Sequence, residues 1–533
     1  MTELLTAAQM RAIEQAAIGA GGVTGLALME RAGRGVVAAI FAQWPDLAPS
    51  WGPTPKPPDH ALPDAERGRH RAWVLCGPGN NGGDGFVVAR LLKDCGWDVA
   101  VWFGGEAEKL PPDAKVNHAR WCRMGAVTAG SPDKPPGMGG SSTLPGRCDV
   151  LVDALFGCGL NRPFAGIHAT TGLDAESLRQ AGARCVAVDI VSGLCADSGR
   201  ILGRADRADL TVSFHRAKCG HVLQEGPAQT GRLTVVDIGL QPDPGQADVV
   251  ALAGGDLAGL RKGQGHKYTH GHALVLSGGS GKGGAARLAA RGALRIGAGA
   301  VTVGSPPEAM AENAAQLTAV MLQAVGDAGA FDAIIADRRI NALCLGPGLG
   351  LSDTAAALIG AALAAGRATV LDADALTLLA RDAHLFDGLH GRCVLTPHDG
   401  EFARLFPDLA KKLHAPATTG PAYSKVDATR QAAARAGCVV LFKGPDTVIA
   451  DPSGRCRVNA AVADRAAPWL ATAGAGDVLA GFITGLLARG HAPMQAAETA
   501  AWLHAESARS FGPGLIAEDL PEELPKVLRK LGI

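Results

Sequence analysis

Short apolar runs recur along the chain at 73–76, 99–103, 150–156, 186–190, 210–214 and 233–238, and the segments between them carry apolar residues every three or four positions. Runs of that length, bounded by Gly, Pro and polar clusters, predict strands, and the intervening spacing predicts amphipathic helices. Their alternation predicts a mostly parallel, doubly wound α/β sheet. Ahead of the first strand, Thr6 and Gln9 form a capping-box pattern before Met10, Ile13 and Ala17, and a second helix is expected around 26–41. The pattern then starts afresh with strand 273–276, a glycine-rich turn, helix 285–296 and strand 300–304, followed by strands at 342–345, 369–371, 393–396 and 439–442. Segments 446–450 and 455–459 flank Asp-Pro-Ser-Gly and read as a hairpin. The second half is a further α/β layer without a detectable repeat of the first.

Residues 45–63 include seven prolines, which excludes a helix or central strand and predicts an exposed excursion. A second loop, 130–146, is rich in Pro, Gly and Ser. The stretch QPDPGQAD at 241–248 lacks apolar periodicity, so the boundary is placed near residue 245, giving domains 1–245 and 246–533. A length of 533 residues suits two domains of ordinary size. Lys plus Arg and Asp plus Glu both number 51, so no global field draws the chain to nucleic acid or an anionic membrane, and any phosphate site has to be built locally. The twelve cysteines include no CxxC pair or Cys/His cluster at zinc spacing, and most lie in apolar runs, as expected for reduced core residues of a cytoplasmic protein. The start MTELLTAAQMRAIEQ lacks a signal-peptide pattern, and no apolar run approaches the ~18 residues of a membrane span. A small-molecule role is expected.

Two glycine-rich signatures stand far apart: GPGNNGGDG at 77–85 and TAGAGDVLAG at 472–481. The first follows a strand and opens a helix expected over 86–93, so its N–H groups gather at a helix N-terminus, where the dipole favours an anion such as pyrophosphate. It is not the GxGxxG fingerprint with an acid roughly twenty residues on, and a loop of this kind also serves as a plain tight turn. VDALFG at 152–157 and VDIVSG at 188–193 each place an Asp at the C-terminal end of a strand, where doubly wound sheets build their sites. Asp153, Asp189 and the pair Asn80 and Asn81 are therefore candidates for one crevice, with hard oxygen ligands for a cation. The alternative is a set of unrelated helix caps.

With LMERAG at 28–33, GNNGGDG, VDALFG and DIVSG, residues 1–240 resemble the NAD(P)H-hydrate epimerase family, which implies a Rossmann-like domain. The resemblance implies a potassium ion held at Asn81, Asp153 and Ser192. It also implies hydrate contacts from Asn80, Asn81, Gly82, Gly83 and Asp84 and from the segment Gly157, Cys158, Gly159, Leu160, Asn161, Arg162 and Pro163, with Asp189 facing the reacting ring as the catalytic residue. Val191 stands where the family usually has the proline of DIPSG, and the 45–63 excursion is unusual for it.

In the second signature, Asp477 at a helix start reads either as a stabilising N-terminal acid or as a proton acceptor beside amides that hold developing negative charge. TPHDGE at 396–401 and KGPDT at 443–447 each follow a strand, and His398 alone reads equally as a structural histidine or a ligand contact. GGSGKGGAA at 278–286 and GPGLG at 346–350 add amide-rich loops, and the former is not a Walker A motif because no GK[ST] ends it. With HKYTHGHALVLSGG at 266–279 and LDADAL at 371–376, these motifs make residues 250–530 similar to the ribokinase-like, ADP-dependent NAD(P)H-hydrate dehydratases. That similarity implies hydrate contacts at Ala285, Gly348, His398 and Asp477, and adenine-nucleotide contacts at Lys443, Gly444, Pro445, Asp446, Thr447 and Gly476. HDGE replaces the family's HPGE, and AGAGD its GGSGD or GGTGD, with the acid retained.

Together the resemblances imply a bifunctional repair enzyme. The first domain would interconvert the R and S epimers of hydrated NADH and NADPH, and the second would dehydrate the S form with ADP and Mg2+, releasing AMP and phosphate. Asp189 and Asp477 are the expected catalytic residues, and a homo-oligomer is expected. Two rivals stand beside this reading: a vitamin or sugar kinase in the second half, and a nucleotide-binding module without chemistry in the first.

Overall fold

The computed structural model describes residues 3–50, 68–130, 147–242 and 248–533. Most of the proline-rich excursion, nearly all of the 130–146 loop and the centre of the 241–248 stretch lie outside the described residues. The backbone divides into two units, Glu3–Ala247 with Pro416–Ser424, and Asp248–Ala415 with Lys425–Ile533.

In the first unit the strands are β1 (Arg71–Cys76), β2 (Asp98–Gly104), β3 (Val127–Gly130), β4 (Val150–Ala154), β5 (Arg184–Val188), β6 (Leu210–Phe214) and β7 (Arg232–Val236). They form an all-parallel sheet in the order β3-β2-β1-β4-β5-β6-β7, with Cys76 in register with Phe103 on one side and Ala154 on the other. The order reverses between β1 and β4, which opens a crevice at their C-terminal ends. Both faces are buried, as a parallel sheet requires. Val74, Val152, Val186 and Val212 pack beneath α1 (Ala7–Gly19), α2 (Gly25–Gln43) and α3 (Asn80–Asp94), while Trp73, Leu75, Leu151 and Cys185 line the other side. The expected capping box is present, with Thr6 Oγ1 accepting from the Gln9 N–H and Gln9 Oε1 from the Thr6 N–H.

Helix α3 begins at Asn80, so NNGGDG forms its first turns and does not precede it. The glycines there serve close packing. A Cβ on Gly82 would lie 2.0 Å from the Gly77 carbonyl oxygen, and one on Gly85 would lie 2.8 Å from both Cys76 Sγ and Ala154 Cβ. Strand β3 escaped the hydrophobic pattern because VTAG is a short, half-exposed edge.

The second unit contains β8 (Val250–Leu252), β9 (His272–Leu276), β10 (Ala300–Ser305), β11 (Met321–Ala324), β12 (Ile340–Leu345), β13 (Ala368–Leu371), β14 (Cys393–Leu395), β15 (Val439–Phe442), β16 (Asp446–Ala450) and β17 (Cys456–Ala460). Their order is β11-β10-β9-β12-β13-β14-β15-β16-β17-β8. Pairing is parallel up to β15, and β16 and β17 form the predicted antiparallel hairpin. The glycine-rich helix start leads into α6 (Ala475–Ala488), which lies against α4 (Gly284–Arg295) through Ala289, Ala290, Ala293 and Phe482. Small residues allow the approach: a Cβ on Gly481 would lie 2.1 Å from the Ala289 carbonyl oxygen. No helix among the described residues is long and apolar enough to cross a membrane, and the cysteines are free thiols.

Candidate active sites

In the first unit a cavity of about 390 Å³ opens at the C-terminal ends of β1, β4 and β5. Its wall includes Asn80, Asn81, Asp84, Gly157, Cys158, Gly159, Leu160 and Asp189. Gly82 and Gly83 are buried within α3, and Asn161, Arg162 and Pro163 are exposed off this wall. Asp189 follows β5 with φ 65, a left-handed conformation that costs a non-glycine residue roughly 1–3 kcal/mol and persists only where the surroundings impose it.

They do so through a set of donors. Oδ2 of Asp189 accepts from the Cys158 N–H (3.2 Å) and thiol (2.6 Å), and Oδ1 accepts from the Ser213 hydroxyl (3.1 Å), with Lys218 Nζ 3.2 Å away. Lys218 is itself buried, and its ammonium also donates to Ser213 Oγ and the Arg216 carbonyl. His221 accepts the Lys218 N–H at Nδ1, which places the proton on Nε2 for donation to the Asp189 carbonyl at 3.0 Å. Burial works to raise the Asp189 pKa, but Lys218 and the Cys158 thiol outweigh it and hold the carboxyl down at about 2. Two further carboxyls share the cavity. Burial and the Asp189 charge push Asp84 well above the ordinary range and raise Glu14, which lies on α1 and accepts no hydrogen bond from the described residues. Glu14 and Lys218 gave no sequence signal, since neither lies in a glycine motif.

Asp153 and Ser192 meet just behind this wall. Ser192 donates to the Asp153 carboxylate through its hydroxyl (2.6 Å) and its N–H (2.9 Å), and the Phe156 N–H donates to Ser192 Oγ at 2.9 Å. Asp153 has no cationic side chain paired with it among the described residues, and burial pushes its carboxyl up to about 6. Asn81 Oδ1 lies 3.0 Å from the point where Gly157 would carry a Cβ, one residue beyond Phe156. Carboxylate, hydroxyl and amide oxygens beside an uncompensated buried acid form a donor set that fits a hard cation.

In the second unit, polar groups converge past β13, β14 and β15 at the start of α6. Lys443 Nζ donates to Asp372 Oδ1 at 2.8 Å and lies 3.6 Å from Glu401 Oε2, and the Thr396 hydroxyl donates to the same Asp372 oxygen at 2.8 Å. Gly476 faces this group, since a Cβ on it would lie 3.5 Å from Lys443 Nζ. Burial and the Asp372 charge push Asp477 up to about 6, against the pull of Lys443. Burial works to lower the Lys443 pKa, but Asp372 and Glu401 outweigh it and keep the amine protonated. His398 caps α5 (Asp399–Leu405), with Nδ1 accepting the Gly400 N–H, and a Cβ on Gly348 would lie 3.5 Å from Ala285 Cβ. Asp372 lies in LDADAL and Glu401 in TPHDGE, and only the folded chain sets them against Lys443.

Next to this group is a largely apolar cavity of about 620 Å³, whose wall includes Lys443, Gly444, Pro445, Thr447 and Gly476. The Asp446 side chain is turned to a buried ion pair with Lys425 at 2.7 Å. The residues that sequence reading missed on this wall are apolar or neutral, among them Val462, Leu470, Leu479, Asn459 and His504. No group of three or more His, Cys, Asp or Glu among the described residues is arranged to hold a metal ion.

Residues 273–529 match the family model described as NAD(P)H-hydrate dehydratase, and residues 25–220 match the YjeF-related protein N-terminus. The chain is 34% identical to the bifunctional NAD(P)H-hydrate repair enzyme Nnr of Moorella thermoacetica, over 99% of this chain and 97% of that protein. It is 46% identical to the NAD(P)H-hydrate epimerase of Rhodobacter capsulatus, over 42% of this chain and 92% of that protein. Among solved structures, the ADP/ATP-dependent NAD(P)H-hydrate dehydratase of Bacillus subtilis co-crystallised with ATP/Mg2+ is 28% identical, covering 51% of this chain and 93% of its own, with a TM-score of 0.42.

Proposed function

We propose, from the premise that this chain belongs to the family of bifunctional NAD(P)H-hydrate repair enzymes, that its first unit interconverts the R and S epimers of hydrated NADH and NADPH and its second dehydrates the S epimer. The observation that carries this reading is the pair of cavities, one per unit: Asp189, paired with Lys218, is on the wall of the first, and Asp477 follows Gly476, which is on the wall of the second together with Lys443.

In the second unit Asp477 is ionised near neutral pH and accepts the proton of the carbon 6 hydroxyl as that oxygen attacks the terminal phosphate of ADP. AMP leaves, the phosphate ester then loses phosphate and the carbon 5 proton, and NAD(P)H is restored. The N–H groups that open α6 at Gly476 and Asp477 point no hydrogen bond back into the helix and are free for the transferring phosphoryl group. Lys443, ion-paired with Asp372, supplies a fixed positive charge at the same place. Mg2+ bound with the nucleotide would neutralise phosphate charge, and Asp372 and Glu401 are the carboxylates that would lie nearest to it beside Lys443. A kinase would stop at the phosphate ester, and relatives that span the chain, that of Moorella thermoacetica among them, are named for repair.

In the first unit the wall residues Asn80, Asn81, Asp84 and Gly157 to Leu160 would hold the hydrated ring against Asp189. Asn81, Asp153 and Ser192 would hold potassium, whose charge would compensate the buried Asp153 carboxylate that Ser192 contacts. The test is recovery of NADH absorbance from an equal mixture of both epimers. Full, ADP-dependent recovery supports the reading; accumulation of a stable phosphate ester would replace it with the kinase.

A further inference from the structure

Two hydrogen-bond acceptors on the wall of the apolar cavity in the second unit have no donor. His504 lies on α7 (Pro493–Phe511), is 7% exposed, and has Nε2 2.9 Å from the Ala475 carbonyl oxygen. A carbonyl only accepts, so the ring proton is on Nε2 and Nδ1 carries a bare lone pair, to which no described residue donates. Asn459, 4% exposed on β17, donates from Nδ2 to the Ala501 carbonyl at 3.0 Å, one helical turn before His504. That bond fixes the amide orientation and leaves Oδ1 buried without a partner. An unpaired buried acceptor is destabilising, and Asn459, which carries one, lines the same largely apolar cavity as His504.

We propose that His504 Nδ1 and Asn459 Oδ1 read the exocyclic amine of the adenine ring, so that these two residues determine the purine selectivity of the nucleotide-dependent step. The inference rests on the reading of this cavity as the nucleotide site. An amine offers two protons, one for each acceptor, whereas the carbonyl oxygen that hypoxanthine or guanine carries at the same ring position would set lone pair against lone pair. Sites built on such hydrogen bonds reject the wrong partner far more strongly than sites built on apolar contact. Burial lowers the His504 pKa to about 4, so the ring stays neutral and its lone pair available at neutral pH. The surrounding Val462, Leu470 and Leu479 supply a desolvated face for the ring, and Lys443 and Gly476 stand at the end where the phosphates would lie. His504 also bonds the carbonyl of Ala475, the first residue of α6, so the base and the start of the helix that carries Asp477 share one side chain.

The experiment uses the full chain and the S epimer, with ADP, inosine diphosphate and the diphosphate of unsubstituted purine riboside as phosphoryl donors. ADP is expected to exceed inosine diphosphate by at least about tenfold in kcat/KM, with the purine analogue between them, because it lacks both the amine and the opposing oxygen. His504→Phe and Asn459→Leu are each expected to lower kcat/KM for ADP about tenfold while leaving that for inosine diphosphate within about threefold, collapsing the ratio. Equal use of ADP and inosine diphosphate by the unaltered chain would overturn the inference, and that measurement needs no variant to fold. A variant that weakens both donors by the same factor, keeping the ratio, would make the residue a structural support only and also overturn it. Dehydration with none of the three donors would instead remove the proposed function itself.

Discussion

Asp189, just past the end of β5, and Asp477, in the first turn of α6, are both largely shielded acids, and their surroundings drive them in opposite directions. Lys218 and the Cys158 thiol hold Asp189 near 2, whereas burial and Asp372 hold Asp477 near 6. Asp477 works as a proton acceptor only when ionised, so the dehydration rate is expected to rise with pH through about 6 and then level, as read from kcat against pH. Asp477→Asn should lower that rate by about two to four orders of magnitude while epimer interconversion continues. The Lys443→Met variant removes the charge that opposes the upward shift, so any residual acid limb should move to higher pH. In the first unit, Asp153→Ala should slow epimerisation and abolish its dependence on potassium; a normal rate with a normal potassium response would remove Asn81, Asp153 and Ser192 as a cation site. The acids themselves were legible, because each follows an apolar strand or a glycine turn. Their partners were not: Lys218 lies 29 positions from Asp189 (218 − 189), and Asp372 lies 105 from Asp477 (477 − 372), distances over which no periodicity carries information.

At the scale of elements, hydrophobic pattern located most strands within about two residues, since buried parallel strands are continuous apolar runs. It failed at β8, only three residues long, and at β3 and β11, edge strands that expose much of their length. It also started α3 six residues late, by placing the first helical residue at 86 where the structure places it at 80, because glycine reads as a helix breaker unless a neighbour needs the space. That space is measurable. The Cβ of Gly481→Ala would sit 2.1 Å from the Ala289 carbonyl oxygen, and backbone cannot swing aside as a side chain can. The variant should force α6 from α4, destabilise the second unit by about 3 kcal/mol in chemical unfolding, and lower dehydration while epimerisation persists.

At the scale of the whole molecule, strands β1 to β7 and the wall of the first unit's cavity come from residues before 239, and strands β8 to β17 come from residues after 249. Cutting the chain near residue 245 should therefore leave two folded fragments, although residues 416–424, which group with the first unit, travel with the second piece. The N-terminal fragment should interconvert epimers without nucleotide, and the C-terminal fragment should restore NADH from the S epimer and stall near half recovery on an equal mixture. Adding the first fragment back should give a rapid second phase; fast consumption of both epimers by the second fragment alone would refute the division of labour. The sequence by itself determined the α/β class, the two sheets and the glycine-and-acid motifs, because these are local: strand periodicity, turn residues and a carboxyl placed at a strand end are written in neighbouring positions. Only the tertiary structure decided which acid stays ionised, which glycine is a packing contact, and which acceptors, such as Asn459 Oδ1, are buried without a donor. Charge, burial and hydrogen-bond satisfaction are properties of groups brought together from distant parts of the chain, and they come into existence when the sheets close.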